Sequence, residues 1–377
     1  MTRRDRLRAT LAGRPVDRPA VNFYEIGGFD IRPDDPDEAN VYNDPSWRPL
    51  LRLAEERTDL IRMRPPRLVP SADNPRDRFF REETWKEHGT RFTRTTVRAG
   101  GRTLTALSRR NPEIDTVWRI EPLLKGLDDL RAFLTLPDEV FAFDPDPGPL
   151  LQAEQEVADR GIVMVDTEDP LCAAAQLFSM EDFAVLAWSE PAWFHRLLGK
   201  LAPPIHQRTR RLAEIFPGRL WRIYGPEYAT EPFLRPRHFE DYVVRYTKPL
   251  VDAIRKTGGY ARIHCHGRLR AVLPLIRAMG ADAIDPIEPP PQGDVELAEV
   301  RREHGRDLVL FGNIEINAIE GLEPPEFERL AARALREGTA GEGRGFVLMP
   351  TASPCGRTIS PRTLRNYETL VRLAERG

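Results

Sequence analysis

Apolar and polar positions in the second half of the chain repeat one phrase: a short apolar run, a loop, an amphipathic helical stretch, then a glycine-bearing turn. Leu220–Tyr224 is the first clear run. Arg235-Pro236 follows, with proline suited to a first helical turn. Phe239, Tyr242, Val243, Tyr246, Leu250 and Ile254 then recur at helical spacing until Gly258-Gly259 stops them. Further apolar runs lie at 260–264, 282–284, 308–311 and 345–348. A helix carrying Leu269, Val272, Leu273 and Ile276 ends at Gly280, and others are predicted around 295–300, 324–335 and 361–373. Alternation of this kind makes a parallel sheet. Earlier runs at 20–23, 60–63 and 161–165 bring the strands to eight, the number that closes a (β/α)8 barrel. A doubly wound open sheet has the same periodicity.

Residues 79–120 break the pattern. Trp85, Phe92, Val97, Leu104, Leu107, Val117 and Trp118 lie in strand-like stretches separated by Gly100-Gly101 and Asn111-Pro112, which predicts a small antiparallel β insertion. Residues 31–43, rich in Asp, Pro and Asn, read as a surface loop. The expectation is one α/β domain over 1–377, a TIM-like barrel with this insertion.

Composition narrows the class. Hydrophobic residues are 41% of 377, enough for a full core, and 35 prolines are scattered at element boundaries, which excludes collagen-like and largely disordered chains. Lys plus Arg is 56 against 58 Asp plus Glu, so no basic footprint marks a nucleic-acid binder. Three cysteines do not make a disulfide framework in a chain of this size. No apolar run approaches membrane-spanning length, and the charged start has no apolar stretch after it. A cytoplasmic, non-membrane protein is expected.

In a parallel barrel, reactive groups collect in loops after the carboxyl ends of strands. Ile263-His264-Cys265-His266-Gly267 ends one strand. Alternation puts His264 and His266 on one face and Cys265 on the other. Glu288 follows the next strand, and Cys355 follows the last. Two imidazoles, a thiolate and a carboxylate on one mouth are a zinc-type ligand set. Each has a plainer alternative: a hydrogen-bonded histidine pair, a small buried cysteine, a solvated loop acid. Cys172 and Cys265 are assigned to the core.

Tyr224-Gly-Pro-Glu-Tyr, Phe233-Leu-Arg-Pro, Ile263-His-Cys-His-Gly, Gly280-Ala-Asp-Ala-Ile, Gly293-Asp294, Phe311-Gly-Asn-Ile-Glu and Ser360-Pro-Arg-Thr-Leu-Arg-Asn together resemble the uroporphyrinogen decarboxylase superfamily, as does Gly13-Arg-Pro-Val-Asp-Arg-Pro. The likeness is strong from about residue 215 onward. It implies a (β/α)8 barrel, and either a porphyrinogen decarboxylase or a zinc enzyme moving methyl groups from corrinoid proteins to thiols. The decarboxylases bind a polycarboxylate through arginines after the first strand. Here that loop, Asn22-Phe-Tyr-Glu-Ile-Gly-Gly-Phe-Asp30, has two acids and no arginine. An acid expected after the second strand is replaced by Arg62-Met63-Arg64-Pro65.

The methyltransferase branch uses His-x-Cys, a distant Cys and a Glu. His264, Cys355 and Glu288 match, while His266 stands where the middle Cys belongs. The resemblance therefore implies zinc held by His264, His266, Cys355 and Glu288, which binds the acceptor thiol at an open position and lowers its pKa. A corrinoid is the implied methyl donor, a corrinoid protein a partner, and a homodimer is compatible with the family. Glu288, Tyr224 and Glu227 are the expected catalytic residues. Tyr228, Asp166, Glu168 and Asp169 are expected along the same cavity, with Asn313 and Glu315 present and unassigned. Two alternatives stand beside this: a decarboxylase or lyase of a tetrapyrrole or small carboxylic acid, and a non-catalytic corrinoid- or tetrapyrrole-binding protein.

Overall fold

A computed structural model describes residues 1–376. Eight parallel strands form one sheet: β1 (Ala20–Val21), β2 (Leu60–Arg64), β3 (Gly161–Glu168), β4 (Leu220–Tyr224), β5 (Tyr260–Cys265), β6 (Ala283–Pro286), β7 (Val309–Ile314) and β8 (Phe346–Pro350). Their order is β1-β8-β7-β6-β5-β4-β3-β2, so from β2 to β8 each neighbours its sequence successor and β8 pairs back to β1, as in a (β/α)8 fold. Every run singled out from the sequence is one of these strands.

β1 and β2, the two ends of that order, are joined through Asp59. Its N–H donates to Val21 O at 2.8 Å, and its carboxylate accepts from Val21 N at 3.0 Å. Arg6 and Arg18 neutralise the buried acid at 2.6 and 2.9 Å. The helix Arg3–Leu11, with Thr2 capping Asp5 N, carries Leu7 and Leu11 into the same cluster as Ala20, Ile61, Met164, Leu220, Ala283, Val309 and Val347. These are lumen residues, so the helix plugs one end of the barrel. A second, larger cluster fills the layer between strands and helices and includes Cys265.

The antiparallel insertion is a four-stranded meander: Phe80–Glu87, Thr90–Ala99, Arg102–Arg110 and Val117–Glu121. Both its first turns, His88-Gly89 and Gly100-Gly101, have two consecutive positive φ angles, as two-residue hairpins require. Several elements escaped the sequence reading, among them the helices Trp47–Arg57 and Gly148–Val157, and two are instructive. One is a two-stranded pairing of Arg67–Pro70 with Phe143–Asp146. The other is the 25-residue helix Pro191–Ile215, whose internal Pro203-Pro204 masks its periodicity. Among the described residues no helix is long and apolar enough to cross a membrane.

Candidate functional site

The lumen changes character toward the carboxyl ends of the strands. Below lie Met164, Leu220, Ala283 and Val309; one alternation step higher come Asp166, Arg222, Arg262 and Asp285. Register places Arg222 beside both Asp166 and Arg262, and His264 beside Asp285. Arg222 Nη1 donates to Asp166 at 2.8 Å, and Arg262 Nε stands 2.9 Å from Asp285 Oδ1. The Arg262–Asp285 angle is poor for a hydrogen bond, and Arg262 Nε, Arg262 Nη2 and Asp285 Oδ1 remain buried without one. The guanidiniums compensate partly by stacking: Arg262 lies 4.7 Å from the Phe311 ring centre, and Arg222 lies 5.0 Å from that of Tyr224. Two arginines against two aspartates make a charge-balanced floor.

Two histidine–carboxylate pairs stand above it. His264 Nδ1 donates to Asp285 Oδ2 at 2.7 Å, and His266 Nδ1 donates to Glu288 Oε1 at 2.7 Å. The rings meet edge to face with centroids 4.6 Å apart. Glu288 is fixed further by Gly267 N–H at 2.8 Å, which a positive φ of 87° at Gly267 turns toward it. The two pairs differ in solvation. His264 is 3% exposed, and burial with the nearby Arg222 charge drives its pKa down to about 3, so it is a neutral ring. Asp285, although burial opposes ionisation, is held down at about 2 by Arg262 and His264. The His266 side chain is 37% exposed. Burial works against its charged form, but the hydrogen bond and charge of Glu288, with Glu227 and Asp285, raise its pKa.

The rim is acidic. Glu227 accepts from Gly225 N at 2.8 Å, and burial raises its pKa. Burial and the neighbouring Glu288 push Glu315 up to about 7, while Oε1 has no hydrogen-bond partner. Glu25 is likewise raised by burial. Among the described residues none of these three forms an ion pair, whereas Glu168 is held by Arg208 at 2.6 Å. Asp169 is not a cavity group. Its carboxyl caps Cys172 N at 2.7 Å and accepts from Thr247 at 2.9 Å, and burial raises it to about 8. A side chain at Gly225 would collide with Asp169 and Cys172, so this packing seats the loop bearing Glu227. Tyr224 is part-buried over Arg222, and burial raises its phenol.

Cys355 goes elsewhere. Its carbonyl accepts from Asp115 N at 2.9 Å, and Gly356 bridges Ile114, so the loop after β8 zips onto the segment before the insertion's last strand. The thiol is exposed. The four donors expected around zinc are thus divided: His264 on Asp285, His266 on Glu288, and Cys355 at the insertion. Among the described residues no three His, Cys, Asp or Glu side chains are grouped as a metal ion requires. The residues as arranged do not fit zinc.

Sequence reasoning missed Arg222, Arg262, Tyr24 and the partnership of Asp285. A charge in mid-strand at a lumen-facing position was the available signal for the arginines. Tyr24 follows from an Asx turn, Asn22 Oδ1 accepting from Tyr24 N at 2.8 Å, which sets it at φ 58° beside His264, ring centres 6.0 Å apart.

Comparisons with known proteins agree with this architecture. A methyltransferase from Methanosarcina mazei superposes over 100% of this chain and 99% of its own, with TM-score 0.63 and 14% identity, which establishes a shared fold. A muconate cycloisomerase variant matches far more weakly, at TM-score 0.27 and 11% identity over 78% of this chain and 76% of its own. No curated protein matches the sequence. The sequence model described as Uroporphyrinogen decarboxylase (URO-D) matches residues 152–374, more than half of the chain and every barrel strand from β3 onward. The chain belongs to the uroporphyrinogen decarboxylase family.

Proposed function

We propose that this chain is an enzyme transferring a methyl group at the barrel mouth, from a corrinoid donor to a thiol or similar acceptor, with His266 and Glu288 removing the acceptor's proton. The observation that carries the reading is the partly exposed His266, fixed through Nδ1 to Glu288 and keeping Nε2 for a substrate. An imidazole made more basic by its carboxylate partner is suited to that task. The acceptor proton passes to Nε2 while its electron pair forms the bond to the methyl carbon. The bond to the donor breaks with its electrons remaining there, and Glu288 stabilises the imidazolium. Beneath, neutral His264 and the charge-balanced set of Asp166, Asp285, Arg222 and Arg262 form a floor that positions the pair. The likeness in fold to a methyltransferase supports the choice of transferred group. The acids Glu25, Glu227 and Glu315 oppose a polycarboxylate such as uroporphyrinogen.

The test is incubation with methylcobalamin and a panel of thiols, following loss of the methyl–cobalt absorbance. Turnover slowed on the order of a hundredfold in His266→Gln and Glu288→Gln is expected. No demethylation by the wild-type protein with any acceptor would remove the reading. A second reading, decarboxylation of a small acid, is favoured by Glu315, whose pKa of about 7 suits a proton donor to a carbanion. Release of carbon dioxide without methyl transfer would select it.

A further inference from the structure

On the outer layer of the barrel, between the helices Leu297–His304 and Pro324–Gly338, lies a cavity of about 460 Å³. Arg306 and residues 340–342 reach it from loops that precede β7 and β8, so it opens at the amino ends of the strands, opposite the mouth. Its lining is dominated by arginine: Arg301, Arg302, Arg306 and Arg336. Arg301 is 7% exposed. Its Nε donates to Ala340 O at 2.8 Å, and Nη1 donates to the carbonyls of Arg344 and Gly305. Among the described residues no carboxylate lies within ion-pair distance of it, and burial alone lowers its pKa. Carbonyl dipoles answer this charge, but no counter-charge does, an expensive state for a buried cation.

The neighbouring groups do not supply one. Glu337 lines the cavity but is held by Arg333 at 2.6 Å, and Arg302 is paired outward with Glu303 at 2.7 Å. Arg306 and Arg336 form no ion pair among the described residues, leaving Glu342 as the lining acid free of one. The positive groups are therefore in excess, and their planar forks match the oxygens of a tetrahedral oxyanion.

We propose that this cavity is a binding site for a phosphate-type anion, with Arg301 as its buried floor and Arg306 and Arg336 as its closing arms. The site is independent of the chemistry at the mouth. Thermal unfolding and titration calorimetry with inorganic phosphate and pyrophosphate, against sodium chloride of matched ionic strength, test it. The wild-type protein is expected to be stabilised by the phosphates beyond the chloride control. The double variant Arg306→Ala/Arg336→Ala, altered only at exposed positions, is expected to keep the ligand-free melting temperature and bind at least roughly tenfold more weakly. Equal stabilisation by chloride, or undiminished phosphate binding by the double variant, overturns the proposal.

Discussion

Two histidines two residues apart, each donating Nδ1 to a carboxylate at 2.7 Å, have opposite properties. His264 sits near the end of its strand, buried among Arg262, Arg222 and Asp285; His266 sits one alternation step further out, beside a rim of acids. The hydrogen bond is the same in both. Solvation and the sign of the nearest charges differ, and those set which ring is a structural neutral group and which can exchange a proton. A histidine–carboxylate pair is therefore not a functional signature until its surroundings are known.

The largest way to sharpen the contrast is to remove the two carboxylates. Asp285→Ala leaves Arg262 buried without its ion pair and is expected to destabilise the fold by about 3–5 kcal/mol in denaturant titration. Glu288→Ala, on a partly solvated pair, should cost about 1 kcal/mol or less while abolishing most of the proposed transfer. Comparable stability losses in the two variants would collapse the distinction.

A second contrast is in pH. His264, depressed from 6.5 to about 3, contributes stability that is present above its unfolded pKa and is lost as pH falls below 6.5. His266, raised, contributes stability that is full below 6.5 and is lost as pH rises through its folded value. Melting temperatures between pH 5 and 8 should therefore respond oppositely: His264→Gln makes the profile fall more steeply with rising pH, and His266→Gln makes it rise more. Matching changes of slope would contradict the assigned environments. Asp169, raised to about 8, adds stability lost as pH rises from 3.8 through 8, so Asp169→Asn should flatten that limb modestly.

The smallest expected effect is at the thiol. Cys355→Ser should leave both transfer rate and melting temperature within error, because the cysteine is exposed and is held by its backbone carbonyl rather than by its sulfur. Loss of zinc retention in this variant, measured by equilibrium dialysis, would instead show that the loop after β8 rejoins the mouth.

Much of the site was readable along the chain for local reasons. Apolar runs with helical spacers located all eight strands, because burial on both faces of a parallel strand leaves a compact signature. Strand alternation placed His264 and His266 together and turned Cys265 into the helix layer, where it lies. The resemblance covering the later strands then indicated which loops carry chemistry. Choice of partner was not readable in this way. Asp285 and Glu288 follow His264 and His266 by 21 and 22 residues, and it is register that sets each histidine against its own acid.

The local order of the chain settled which segments become strands and which side chains share a lumen face, since both depend on neighbours one to four residues apart. Folding across the barrel decided the rest. Arg222 and Arg262 found aspartates on adjoining strands, and Cys355 and Gly356 were drawn to Asp115 and Ile114, about 240 positions earlier. Those pairings depend on strand register and loop docking, long-range properties that residue type and spacing do not encode.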